Sequence, residues 1–348
     1  MRRRTTMALA AFAAATALML SGCQTASSQA EKTPDAAAVG QPPTTIKDVK
    51  DLKVAFFAAG TSNQHLQAAN DEAKKYAGEE GFTLDIFDGQ FDAQTQFDQM
   101  QTALTSGKYN VFAAEPNDGN LVCNMLTKQA PKAGILVTVF NLPICGRAAN
   151  LGDDIWAPGT VTYVGGQTLD VYQAWVEQVK KAYPDGAKIA LIAGPDLNAN
   201  TINFYNAAEA FTKGDGYEVV GKQSTDYTTA QAFKAAQTMM QANPDLDVIM
   251  SNFSGMTRGV MQATTGSKVK VFDFGGDTWA LDNVKSGVLA STIIMLPRQE
   301  AREALKAVVD LVKGNPVPKF INLTKSDKMP GGSPFVFSDN VGDYTAEY

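Results

Sequence analysis

The sequence predicts an α/β protein built as two doubly wound parallel-sheet lobes, and three observations lead to that class. From Leu52 onward, short runs of β-branched and aromatic residues alternate with longer stretches whose apolar residues recur at helical spacing. The alternation pauses at Asn150 to Thr160, a loop rich in Gly, Asp and Pro, and restarts with the same construction. About 300 residues follow the N-terminal region, which is long for a single hydrophobic core.

In the first set, Val54 to Ala58, Leu84 to Phe87, Val111 to Ala114 and Leu136 to Phe140 read as strands buried on both faces. Gln67 to Glu80, Ala93 to Ser106 and Leu121 to Ala133 lie between them as helices. In the second set the strands are Ile189 to Ala193, Glu218 to Gly221, Val248 to Ser251 and Val269 to Phe274. The accompanying helices are Thr168 to Ala182, Asn203 to Lys213, Thr229 to Ala242 and Gly255 to Thr264. A further strand at Ala290 to Leu296, a helix at Arg298 to Lys313 and a short strand at Phe320 to Leu323 do not fit a plain tandem of two domains. They need a sheet to join, so the chain is expected to pass between the lobes more than once. The cleft would then lie at the carboxyl ends of both sheets, where open α/β sheets bind ligands.

The N-terminal region carries a different message. Arg2, Arg3 and Arg4 precede an apolar run from Met7 to Leu20, the pattern of a secretory signal peptide over residues 1–22. The run is too short for a bilayer core of about 30 Å. Leu20-Ser21-Gly22-Cys23 resembles the lipobox of bacterial lipoproteins, which implies a diacylglyceryl group on the Cys23 thiol and a new N-terminus there. Two acyl chains anchor stably, at about 0.8 kcal/mol per buried CH₂. Residues 23–51 are expected to be a low-complexity tether: Gln24 to Thr45 is mostly Ala, Ser, Thr and Pro, and cannot offset its own ordering entropy.

Charge and cysteines narrow the function. Removing residues 1–22 takes away three arginines and no acids, so the formal charge moves from -6 to -9. Such an acidic body has no basic footprint for nucleic acid. Cys123 and Cys145 are an even pair in an exported chain, which favours a disulfide over a metal site, and with His65 as the one histidine and no CxxC, zinc chemistry has little to work with. No GxSxG elbow, P-loop or HExxH motif is present, so a surface-anchored enzyme finds no support, and no metal or cofactor is expected.

"KVAFFAAGTSNQHLQAANDEAKKYAGEEGFTLDIFDGQFDAQTQFDQMQTAL" resembles the first βαβα unit of the periplasmic binding proteins of type I fold, in the sugar-binding group related to ribose-binding protein. "YNVFAAEPNDG", "ANPDLDVIMSNFSGMTRGVMQA", "KVFDFGGD", "VKSGVLASTIIMLP" and "PFVFSDNVGDY" resemble later blocks, in the family's order. The resemblance implies an N-terminal lobe of 52–164 plus 296–322 and a C-terminal lobe of 165–295 plus 323–348, joined by a three-strand hinge. It also implies a staple between Cys123 and Cys145, placed between the third helix and the loop beyond the fourth strand.

Family members hold a sugar with aromatic rings and paired hydrogen bonds. Asn63 falls on a family hydrogen-bonding asparagine; His65 falls where a ring is usual, and it equally fits a helix cap or a solvent-facing role. Asn141 and Leu142 fall on a common Asp-Arg pair. Tyr227, in "TDYTTAQAF", falls on a stacking aromatic, and Asn203, Tyr205 and Asn206 are the candidate substitutes for a helix-start arginine that falls near Ala207. Phe253, beside Asn252, takes an asparagine position; Asp277 neighbours Gly275, which takes an aspartate position; Met295 falls on a hinge glutamine. A free hexose or ribose would leave hydroxyls unpaired here, at about 1–3 kcal/mol each. The expected ligand is neutral and less hydroxylated or partly apolar, with a sugar derivative or polyol as the leading class. The resulting expectation is a lipid-anchored extracytoplasmic solute-binding protein of an ABC importer, a monomer whose partners are the ligand and a membrane permease. The alternative is a binding protein for a signal molecule or another non-sugar compound.

Overall fold

The computed structural model of the protein describes residues 45–213 and 216–348. The expected signal peptide, Cys23 and most of the expected tether lie outside the described residues. The end of that tether is not chain without structure. Ile46 and Val49, three residues apart, are buried in the core, and Asp48 and Asp51 form a capping box around a 3₁₀ turn at Val49–Asp51.

The first sheet is built from β1 (Lys53–Ala58), β2 (Thr83–Asp88), β3 (Val111–Ala114), β4 (Leu136–Phe140), β5 (Thr162–Gly165) and β11 (Phe320–Asn322). Its order is β11-β5-β4-β3-β1-β2, with every neighbour parallel. The second sheet runs β7-β6-β8-β9, also parallel, from β6 (Ala187–Ala193), β7 (Tyr217–Ser224), β8 (Val248–Ser251) and β9 (Lys270–Asp273). Isolated parallel bridges, Phe272 to Ser291 and Gly275 to Ile294, carry it on to β10 (Thr292–Ile293), which pairs antiparallel with β12 (Phe335–Val336). The chain therefore changes sheet three times: after β5, after β10 and after β11.

Helices cover both faces of each sheet: α1 (Gln64–Glu80) and α2 (Ala93–Ser106) on the first, then α4 (Leu169–Ala182), α5 (Ala199–Ala208), α6 (Thr229–Ala242) and α7 (Ser254–Ala263) on the second. α8 (Thr278–Lys285) follows β9, and α9 (Pro297–Val312) returns to pack on α1, where Arg302 bridges Glu72 and Glu79. The period of two along a strand feeds two cores at once. In β1, Val54, Phe56 and Ala58 face one cluster while Ala55 and Phe57 face another; in β6, Ala190 and Ile192 oppose Ile189, Leu191 and Ala193 in the same way. Burying each large apolar side chain contributes about 1.5–3 kcal/mol before chain entropy is subtracted.

Three expectations change in detail. The helix expected over Leu121 to Ala133 is interrupted by a π-turn at Met125–Gln129 that runs into the single turn α3 (Ala130–Lys132). Pro131 has no N–H to give and its ring crowds the carbonyl four residues back, on Thr127, so the ladder widens there. That carbonyl turns toward Gly159, where a Cβ would stand 2.2 Å from it. The helix expected to start at Asn203 begins at Ala199, because Asn198 caps it by accepting from the Asn200 amide at 3.0 Å. The strand expected over Ala290 to Leu296 narrows to Thr292–Ile293, its flanks joined only by the isolated bridges.

Candidate functional site

The carboxyl ends of both sheets face one another across an inner cavity. From the first lobe come Asn63 and His65 after β1, Glu115 after β3, and Asn141 and Leu142 after β4. From the second come Asn198 and Asn200 after β6, Tyr227 after β7, and Asn252 and Phe253 after β8. Gln167 and Met295 line it from two of the passages between lobes, and Phe91 closes one side. The inner cavity has a volume of about 40 Å³, against about 350 Å³ in an outer chamber that shares Asn63, Phe91, Tyr227 and Phe253 as its wall. Phe91 and Tyr227 meet across the cleft with ring centroids 6.1 Å apart, His65 and Phe253 at 6.4 Å, so the lobes are closed on each other.

A chain of side chains crosses this cavity. Asn141 donates through Nδ2 to Glu115 Oε1 at 2.6 Å and accepts at Oδ1 from Gln167 Nε2 at 2.5 Å; Gln167 in turn accepts at Oε1 from Asn200 Nδ2. The Tyr163 hydroxyl holds the Asn141 carbonyl at 2.7 Å. Three of the five non-glycine residues with positive φ among the described residues line the cavity: Phe91 (56°), Asn141 (58°) and Tyr227 (65°). At Phe91 and Tyr227 such conformations cost of order 1–3 kcal/mol each, whereas Asn enters this region more readily, and they persist where surrounding contacts over-determine them. At Tyr227 one such contact is Gly194: a Cβ there would stand 2.0 Å from the ring, so only glycine lets the ring lie against the end of β6.

The polar atoms are not all paired. His65 Nδ1, Asn200 Oδ1 and both amide atoms of Asn252 are buried without a partner, at positions that line the cavity. Burial pushes the His65 imidazole down to about 3 and the Glu115 carboxyl up to about 7, against donation to Glu115 from Asn141 and from the Ala59 amide. Glu300, on the first turn of α9, is held well above the usual carboxylate range by burial and then by the Glu115 charge, while Gln167 opposes the shift. His65 Nε2 and Glu300 Oε2 lie 3.8 Å apart, but with burial disfavouring the charge on each, this is a neutral contact rather than an ion pair.

Of the residues expected from the sequence, Asn63, His65, Asn141, Tyr227, Asn252, Phe253 and Met295 line the inner cavity. Asn63 has a second task, capping α1 by accepting from the Leu66 amide at 2.9 Å. Asn203 does not line the cavity; it sits inside α5, fully buried, its Nδ2 3.5 Å from the Gln167 carbonyl. Asp277 lies on the outer chamber, where it caps α8 through Oδ1 and pairs through Oδ2 with Arg258 at 2.6 Å. Cys123 and Cys145 form a disulfide with Cα atoms 4.9 Å apart, tying the π-turn segment to the loop just beyond Asn141. Glu115, Gln167, Asn198 and Asn200 were not expected: they stand beyond a strand end, at a helix cap or in a first helical turn, where nothing in the local pattern separates a ligand contact from a turn residue. Beneath the site, buried Asp273 accepts from Ser254 at 2.7 Å, Thr292 at 2.5 Å and Thr257, which ties β10 to α7. Among the described residues no group of three or more His, Cys, Asp or Glu side chains is placed to hold a metal ion.

Residues 54–316 match a family model described as "Periplasmic binding protein domain". The ribose import binding protein of Bacillus subtilis (strain 168) is 22% identical over 286 residues, which cover 80% of this chain and 88% of that protein. An ABC transporter solute binding protein from Mycobacterium smegmatis with bound glycerol is 26% identical, with a TM-score of 0.69 over 84% of this chain and 96% of the other. The Caulobacter myo-inositol binding protein bound to myo-inositol has a TM-score of 0.73 over 87% and 97% of the two chains at 21% identity, a likeness of fold. Each of these relatives is described as a binding protein.

Proposed function

This chain belongs to the periplasmic binding protein family, and from that premise we propose that it is the solute-binding subunit of an ABC importer, taking a small sugar or sugar-like ligand between its lobes. The ribose and glycerol named for its relatives support that class. On this reading the protein acts as a monomer, hands its ligand to a membrane permease, and is held at the outer face of the membrane by lipid on Cys23, which the lipobox-like Leu20 to Cys23 supports. The observation that carries the ligand class is the set of unpaired amide atoms on Asn200 and Asn252 beside the rings of Tyr227, Phe253 and Phe91. Amides pair with hydroxyls and rings pack on the apolar faces of a sugar-like ring. Contacts made from both lobes exist only in the closed form, so ligand shifts the population toward closure. The lobe ranges 52–164 plus 296–322 and 165–295 plus 323–348 are the bodies that would move, about the three passages between them.

The test is a thermal-shift screen of the full-length protein against sugars, polyols, nucleosides and small aromatics. A ligand at a hundred times its dissociation constant should stabilise by about 2.7 kcal/mol. A sugar or polyol hit that Asn252→Ala and Tyr227→Ala both weaken supports the reading. Stabilisation by non-sugars alone, or chemical conversion of the hit, would refute it, and the first of these would turn the protein toward delivery of a signal molecule.

A further inference from the structure

We propose that the ligand of this cleft carries a protonated amine on its hydroxylated frame, with Glu115 as the counter-ion; the inference rests on the sugar-like binding role above. Three features of the inner cavity lead there. The first is direction. The chain from Asn200 through Gln167 and Asn141 points every amide N–H₂ toward Glu115, which accepts at its end. That orientation suits an ionised carboxylate, and it leaves the Asn200 Oδ1 at the other end as an unpaired acceptor on the cavity wall.

The second feature is the absence of a compensating cation. Glu115 is 2% exposed, and among the described residues no Lys or Arg lines the inner cavity. Arg258 is engaged by Asp277 and lies over the Trp279 ring at 5.2 Å; Arg298 donates to Glu347; Arg302 spans Glu72 and Glu79. A buried charge without a partner is costly, and a neutral ligand would leave it so. The third feature is that unpaired acceptors, the Asn200 oxygen and the Asn252 oxygen, line the same cavity as the carboxylate. An ammonium brings three donors and no acceptor, and the remaining hydroxyls of the frame can answer the Asn252 amide. The titratable groups that feel Glu115 from neighbouring elements are Glu300 of α9 and Tyr227 beyond β7; His65 lines the same cavity and burial keeps it uncharged, so none is cationic at neutral pH.

The experiment is calorimetric titration of the full-length protein at pH 7 with two matched pairs, 1-amino-1-deoxysorbitol against sorbitol and D-glucosamine against D-glucose, each in buffers of differing ionisation enthalpy. In at least one pair the amine should bind ten-fold or more tightly than its hydroxyl partner and release a fraction of a proton, because Glu115 is pushed up to about 7 before binding and is held ionised after it. Glu115→Gln should erase the preference, so that the amine and hydroxyl members of each pair bind alike. The proton release in the unaltered protein decides the matter if that variant does not fold. Equal or tighter binding of the hydroxyl member in both pairs, amine binding without proton release, or a neutral hit in the wider screen with neither amine bound, would each overturn the amine inference and leave the sugar-like reading standing. No binding by any pair member together with an empty sugar and polyol screen would remove both.

Discussion

Asn141 is the residue whose replacement separates backbone strain from hydrogen bonding. Its φ of 58° lies in the left-handed region, and its side chain joins Glu115 to Gln167. Asn141→Ala loses a bond to a carboxylate, worth about 1.5–3 kcal/mol, and a neutral bond worth about 1 kcal/mol. It also places a Cβ residue in a conformation that costs roughly 1–2 kcal/mol outside Gly, Asn and Asp. The sum is about 3.5–6 kcal/mol. Asn141→Gly loses the same two bonds without that backbone cost, so it should be destabilised by about 2.5–4 kcal/mol. The Tyr163 hydroxyl bond goes to the backbone carbonyl and survives in both variants. Equilibrium urea unfolding at pH 7 should rank the unaltered protein above the glycine variant and the glycine variant above the alanine one. Equal stability of the two variants would refute the strain, and a loss below about 0.5 kcal/mol in either, the ordinary scatter of surface substitutions, would refute the network.

Other consequences follow from the same geometry. Glu115 has a native value raised to about 7, so it contributes stability that is fully present below the unfolded carboxylate range and lost as pH rises through about 7; the stability of the unaltered protein relative to Glu115→Gln should fall over that window in pH-dependent unfolding, and a flat difference would contradict the burial argument. His65 works in the opposite sense, since its value is lowered to about 3: the unfolded state alone takes up its proton between about 3 and 6.5, so stability should rise with pH there, and His65→Gln should remove that rise. Gly194→Ala would set a Cβ 2.0 Å from the Tyr227 ring and should cost about 1–3 kcal/mol while weakening whatever ligand the screen identifies; unchanged binding would take Tyr227 out of the site. Replacing Cys123 and Cys145 by serine opens a link across 22 residues of sequence and should cost roughly 3 kcal/mol in the chain-entropy model, read by denaturant unfolding against the oxidised protein.

The elements were legible because their signals are local. Four apolar residues in a row at Val111–Ala114, or helical spacing across Ala93–Ser106, need only neighbouring residues to be read, and both ranges match the structure. Thr162–Gly165 mixes Thr and Gly with its apolar residues and Phe335–Val336 is only two residues long, so neither shows a pattern of its own, and only their partners across the sheet make them strands. The same holds for the site. Asn63 and Tyr227 line the cavity, yet Asn63 also caps a helix, and Asp277 is occupied by α8 and Arg258. Asn203 moved off the cavity because Asn198 starts α5 four residues earlier than the apolar pattern suggests.

What the sequence by itself determined is the alternation that makes two parallel sheets, the acidic charge, the even cysteine pair and the family likeness, all of them properties of residue order and composition. What only the tertiary structure decided is which polar side chains meet. Glu115, Asn141, Gln167 and Asn200 are separated by up to 85 positions yet form one hydrogen-bonded chain. Burial and partners set the charge of Glu115 and His65, and both depend on atoms brought together by folding, so no window of sequence contains them.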